Sequence, residues 1–132
     1  MDDPFSNALV DSRSGSLPFV GVATFAGYPL WQTARQKDAV VLGVPYDEGT
    51  SYRPGTRFGP RAMRNASMFY TYEGKNDRFY DSDKQSWILG GKKIADAGDV
   101  KIEPLSLPQN FENITNAVNV IPAEVTFTLE LR

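Results

Sequence analysis

The sequence predicts an α/β domain in which parallel strands alternate with covering helices, preceded by an irregular arm. Three observations carry this expectation. Val40, Val41, Leu42, Gly43 and Val44 form an apolar run whose length and β-branched content suit a strand buried on both faces. Ile94 to Val100 reads as a second strand, closing on Gly98-Asp99. A helical pattern follows each run, and strand, helix, strand, helix in that order means parallel strands joined by right-handed crossovers.

Residues 1–37 read as the arm. Ser, Gly, Pro and Asp clusters, such as Asp11 to Ser16, interrupt any regular pattern there. The second half is different, because Phe19, Val20, Val22, Phe25, Tyr28, Leu30 and Trp31 are too apolar to stand in water. It either packs on its own domain or serves as a subunit contact or pocket wall.

The first strand runs from Asp38 to Pro45, where proline offers no N–H to a ladder. A loop with Gly49, Pro54, Gly55 and Gly59 leads to Pro60, placed at the first helical position, where its missing N–H costs nothing. That helix continues to about Tyr72, with Ala62, Met63, Ala66, Phe69 and Tyr70 at helical spacing. Glu73 to Gly91 is a polar and aromatic connection, long enough to hold a short hairpin.

The second helix spans Ser106 to Ile121. Ser106 and Gln109 form a capping-box pattern, and Phe111, Ile114, Ala117, Val118 and Ile121 make one apolar face. Pro122 ends it. In Pro122 to Arg132, Val125, Phe127, Leu129 and Leu131 alternate with polar residues, the pattern of a half-exposed strand.

Composition narrows the function classes. The chain has 132 residues, 41% of them hydrophobic and 12% aromatic, which excludes a disordered tail. No apolar run approaches the ~20 residues needed to span a bilayer, so no membrane role is expected. The formal net charge of −2 speaks against a nucleic-acid partner. Zero cysteines exclude disulfides, a thiol nucleophile and a thiolate metal site. The acidic start, MDDPFSNALVDSRSG, lacks the basic and apolar regions of a secretory signal, and a cytoplasmic location is expected.

Candidate chemistry concentrates in the loop after the first strand, where an open α/β sheet binds its ligands. Arg53, Arg57, Arg61 and Arg64 place four guanidinium groups around a helix N-terminus with no acid among them. They suit an anion or a subunit contact. Alternatively, they bond loop carbonyls and carboxylates, and this second reading is preferred. Asp47 and Glu48 sit just past the strand end, but two acids without a histidine make a poor transition-metal site. Asp96 and Asp99 flank the glycine of DAGDV and are assigned to strand-end and loop N–H groups rather than to a metal. With no histidine in the chain, the commonest general base at neutral pH is missing.

The stretch GVPYDEGTSYRPGTRFGPRAMRNAS resembles the first strand–loop–helix of the ureohydrolases, the arginase and agmatinase family, and its agmatinase branch in particular. KIADAGDV resembles the family's next strand, and FENITNAV the helix after it. The resemblance covers about three quarters of the chain in three ordered matches, which is specific. It implies the N-terminal part of a three-layer, arginase-like parallel sheet with flanking helices, divided into the arm at 1–37, a partial ureohydrolase domain at 38–121 and a divergent segment at 122–132. The similarity is read as stopping near Val120. A premature end, a frame change or an alternative transcript would each produce that, as would a genuine edge strand, and an altered end is preferred.

The resemblance also implies a function. Ureohydrolases hydrolyse a C–N bond of a guanidino compound, such as agmatine, to urea plus an amine with a pair of manganese ions, typically as homo-oligomers. Thr50 and Ser51 lie in the matching loop and would help to position the substrate in a complete enzyme. The family's metal motifs, a GGDHS-like turn, a DxHxD strand end and a DxDxxDP-like segment, have no counterpart in these 132 residues. A complete domain needs roughly twice this length or more. The expectation is an agmatinase-like fragment, inactive by itself, with no manganese bound to this chain. The alternatives are a non-catalytic partner of full-length subunits and a small anion-binding module.

Overall fold

The computed structural model describes residues 17–31, 38–70 and 78–121, together with the backbone of 127–131. The Asp11–Ser16 cluster, residues 71–77 of the first helix end and connection, and the side-chain alternation expected over 125–132 lie outside the described residues.

Among the described residues, five strands and two α-helices follow one another. They are β1 (Ala39–Gly43), α1 (Gly59–Ser67), β2 (Phe79–Asp81), β3 (Ser86–Ile88), β4 (Ile94–Asp99), α2 (Leu107–Val120) and β5 (Phe127–Leu131). β4, β1 and β5 form one sheet in that order, and both pairings are parallel. β1 is therefore the central strand, as its unbroken apolar run requires, with Val40, Val41, Leu42 and Val44 all buried. The chain ladders out from β1 to β4 and then back across to β5. With right-handed crossovers, that reversal puts α1 and α2 on opposite faces of the sheet.

The side chains agree with this layering. Leu42, Val44 and Val100 form a buried cluster against which Ile114, Ala117 and Ile121 of α2 pack. Gly43, one residue along and so on the other face, looks towards Pro60 at the start of α1. The result is three layers, as expected.

Two expectations about the helices are corrected. Ala62, Met63 and Ala66 of α1, and Phe69 and Tyr70 just beyond it, do not form a buried face. Met63, Phe69 and Tyr70 are exposed, Phe69 by 72%, and the inward stripe is Pro60, Arg64 and Ser67. That stripe keeps helical spacing, but two of its members are polar, so a search for apolar periodicity passes over it. Pro60 occupies the second helical position rather than the first, and after Ser67 the chain tightens into a 3₁₀ turn over Met68–Tyr70.

In α2, Ser106 makes no side-chain cap, and Gln109 bonds forward to Asn113 at 3.1 Å instead. The Ser106 N–H that a capping box needs already donates to the Glu103 carbonyl. Asn110, fully buried, instead ties the preceding loop to the helix. Its Oδ1 accepts from Glu103 N at 2.8 Å and its Nδ2 donates to Glu103 O at 3.0 Å, tying the loop after β4 to the first turn of α2.

The hairpin expected within the long connection is present as β2 and β3, an antiparallel pair. Asp81 Oδ1 accepts the N–H groups of Asp83 and Lys84, which closes the turn, and Tyr80 meets Trp87 edge-on at 5.3 Å. Among the described residues no helix is long and apolar enough to cross a membrane.

The apolar half of the arm divides. Phe19 and Val22 are exposed, whereas Phe25–Gly27 forms a short 3₁₀ turn and Leu30 bridges to Asp96 along the outer edge of β4. The Asp96 N–H donates to the Pro29 carbonyl at 2.9 Å, so the arm covers the exposed edge of that strand.

Candidate functional site

The chemistry-bearing residues gather at the carboxyl end of the sheet in two clusters, one between β4 and α1 and one in the loop after β1. The first begins with an irregularity in β4. Val41 pairs with Asp96, but Gly43 pairs with Asp99, so β4 carries one extra residue there. Gly98, with φ of 79°, takes the left-handed conformation that such a bulge needs. In a regular strand, residues three apart point to opposite faces. The extra residue puts Asp96 and Asp99 on the same face, towards α1.

Arg64 reaches down from α1 to meet both. Its Nε and Nη2 donate to the two oxygens of Asp96 at 2.7 and 2.9 Å. Nη1 donates to Asp99 Oδ1 at 2.6 Å, and Nη2 also reaches the Gly98 carbonyl at 2.8 Å. Asp96 further accepts from the N–H groups of Phe25 and Gly98, at 2.7 and 2.8 Å. One buried carboxylate therefore joins the arm, the helix and the bulge.

Ser67, a turn later, donates to the Arg64 carbonyl and accepts from Ala26 N–H, both at 2.7 Å. That bond holds Ala26 at φ of 48°, in a region where side chains rarely sit. Burial pushes the Asp96 carboxyl up. The hydrogen bonds from Arg64, Phe25 N–H and Gly98 N–H outweigh it, and its pKa lies below the ordinary carboxylate value. In return Asp96 first, and Asp99 after it, raise the pKa of the Arg64 guanidinium against the opposing cost of burial.

The second cluster lies in the loop after β1. Asp47 Oδ2 accepts from Gly55 N–H at 2.6 Å and from Arg57 N–H at 3.2 Å, while Oδ1 takes the Arg57 guanidinium at 2.5 Å. The carboxylate thus folds residues 47–57 around itself. The Arg57 hydrogen bond, aided by the two backbone N–H groups and partly opposed by burial, brings the Asp47 pKa to about 2 from an ordinary 3.8.

The folded value is the lower one, so this contribution to stability is complete above about pH 4 and disappears as pH falls towards 2. The protection of the Gly55 and Arg57 amides relative to their intrinsic exchange rates, followed by NMR, is expected to fall through that window. An Asp47→Asn variant is expected to exchange fast at every pH, and protection unchanged in that variant would remove Asp47 as the organiser.

The four arginines do not converge. Arg57 and Arg64 are taken up by carboxylates, Arg53 stacks 5.1 Å from the centre of the Tyr52 ring, and Arg61 stands on the rim of a cleft beside the arm. Thr50 and Ser51 are exposed at the loop tip. Glu48 reaches across to the other loop, accepting from Leu105 N–H and Asn110 Nδ2 at 3.4 Å each.

The manganese pair implied by the resemblance does not suit these donors. The sequence has no histidine, and among the described residues no three acidic side chains come together. Both oxygens of Asp96 and of Asp47 are already occupied by arginine and backbone N–H groups.

Sequence reasoning missed the roles of Gly43, Ser67 and Asn110. For Gly43 a signal existed, since a lone glycine inside a β-branched run marks close approach of another group. A Cβ there would run into the Asp99 carboxylate and sit 3.0 Å from Pro60 Cβ.

Known proteins share this fold. The family model described as the arginase family matches residues 37–131, running through β5 and past Val120, where the sequence reading had ended the similarity. The chain is 33% identical over 112 residues to the mitochondrial agmatinase of Gallus gallus, covering 85% of this chain and 31% of that protein. It is 36% identical over 89 residues to the proclavaminate amidinohydrolase of Streptomyces clavuligerus, covering 67% of this chain and 26% of that one. The solved structure of the proclavaminate amidinohydrolase from Streptomyces clavuligerus superposes with a TM-score of 0.70 at 29% identity, over 87% of this chain and 36% of that chain. A hypothetical agmatinase from Burkholderia thailandensis shares the fold, with a TM-score of 0.67. The chain spans less than a third of the length of the two curated relatives. With the sheet order, the matched residues and the superposition in agreement, the chain belongs to the arginase family.

Proposed function

We propose that this chain supplies the N-terminal α/β framework of an agmatinase-like ureohydrolase, and that by itself it holds no manganese pair and releases no urea. In the complete enzyme a guanidino compound such as agmatine would be hydrolysed to urea and an amine. The observation that carries the second half is the engagement of the strand-end carboxylates, Asp96 and Asp99 by Arg64 and Asp47 by Arg57. These ion pairs shape the loops around a site and leave few oxygens for a cation.

In that complete enzyme, Thr50 and Ser51 on the exposed loop are the candidates to meet a polar substrate. The uncovered side chains Phe58, Met63, Phe69 and Tyr70 support a contact with another subunit. The test is elemental analysis of the purified chain after manganese loading, paired with a urea assay on agmatine. Manganese well below one ion per chain and no urea are expected. About two ions per chain together with turnover would overturn the proposal.

A further inference from the structure

A cleft of about 370 Å³ opens between the arm, α1 and the end of β4. This is within the range of small-ligand pockets, at its lower end. Its floor is the Arg64–Asp96 pair, in which both Asp96 oxygens accept two hydrogen bonds each and Arg64 is held by Asp96, Asp99 and the Gly98 carbonyl. Its rim is not used up.

Arg61 and Asn65 stand one turn apart on α1 and so project side by side over the cleft. Neither makes a side-chain hydrogen bond or ion pair among the described residues, and Arg61 does not pair with Asp99, which lines the same cleft. Asp99 gives one oxygen to Arg64, while its other oxygen accepts nothing among the described residues, and its side chain is 38% exposed. Thr24, 2% exposed, also lines the cleft, and its hydroxyl has no hydrogen-bond partner among the described residues. Val22 and Leu30 supply apolar wall between these polar groups.

An unused cation with a neighbouring amide and an unused carboxylate oxygen thus line one cleft together with apolar side chains, and two positive and two negative groups line the whole. A simple anion would meet Arg61 but also Asp99, and a simple cation the reverse. A ligand carrying both charges satisfies both ends without unbalancing the cleft.

We propose that this cleft binds a small zwitterion, an ω-amino acid whose carboxylate meets Arg61 and Asn65 and whose ammonium meets Asp99. The alkyl chain between them packs on Val22 and Leu30. The proposal does not depend on the function proposed above.

The test is calorimetric titration of the full chain with 5-aminopentanoate, with pentanoate and pentylamine as controls that each lack one charge. Saturable binding of 5-aminopentanoate is expected, with each control and the Arg61→Ala variant weaker by about tenfold or more, the loss of one charged hydrogen bond. Arg61 is exposed and unpaired, so Arg61→Ala is expected to keep the wild-type circular dichroism spectrum and melt. Asn65→Ala, equally exposed, provides a second variant with a smaller loss. Pentanoate binding as well as 5-aminopentanoate, affinity unchanged in Arg61→Ala, or no saturable binding at millimolar probe would each overturn the proposal.

Discussion

Replacing Arg64 by alanine is expected to cost about 3–5 kcal/mol, the usual penalty for leaving a buried charge without its partner. Asp96 would be left 1% exposed, with two backbone N–H groups but no cation, and the Gly98 carbonyl would lose its donor. For a small domain of ordinary stability this is a large fraction of the total. Urea denaturation followed by circular dichroism measures it. Arg64→Lys should fall between the two, because an ammonium cannot bond both oxygens of Asp96 in a plane while also reaching Asp99.

The double variant Arg64→Met with Asp96→Asn should be less destabilised than the sum of its single changes, because it removes both charges together. Losses that simply add would mean that the pair is not coupled. A midpoint for Arg64→Ala within error of the parent would mean that the contact does not hold the arm, helix and strand together.

The second large effect is expected at Gly43. Gly43→Ala puts a methyl group against the Asp99 carboxylate, which Arg64 holds in place, and against the ring of Pro60, which the start of α1 holds. Neither neighbour is the free end of a flexible chain, so β1 and α1 must separate or the Arg64–Asp99 bond must break. Overpacking of this kind costs about 1–3 kcal/mol, and the rigid neighbours place it at the upper end. Gly49→Ala is the matched control, since a Cβ at Gly49 meets nothing within 4 Å. Thermal melts of the two variants separate the effects, and equal melting temperatures would rule out the close approach.

Both predictions concern residues whose importance was unevenly visible beforehand. The strand at β1, a helix start at Gly59-Pro60, the hairpin and part of the α2 face were legible, because each follows from periodicity or from a residue with one backbone habit; of the five residues expected on that face, Ile114, Ala117 and Ile121 pack inward while Phe111 and Val118 are exposed. The inward face of α1 was not. Its stripe of Pro60, Arg64 and Ser67 contains charge and hydroxyl, and such groups are buried only when partners elsewhere satisfy them. Those partners, Asp96, Asp99 and the Ala26 N–H, lie more than thirty residues away in sequence. The capping box failed for a related reason. Ser106 and Gln109 had the right spacing, but the Ser106 N–H is taken by the Glu103 carbonyl in the loop that Asn110 closes.

What the sequence determined by itself is the order of elements, the central place of the Val40–Val44 run and the resemblance to the ureohydrolases, because these rest on local pattern and residue type. What only the tertiary structure decided is which charges meet. A single extra residue in β4 turns Asp99 to the same side as Asp96, and the parallel pairing of β1 with β4 brings both beneath Arg64. Hydrogen bonding between charged groups depends on ångström distances and on the face each side chain takes, and one residue of register reverses that face.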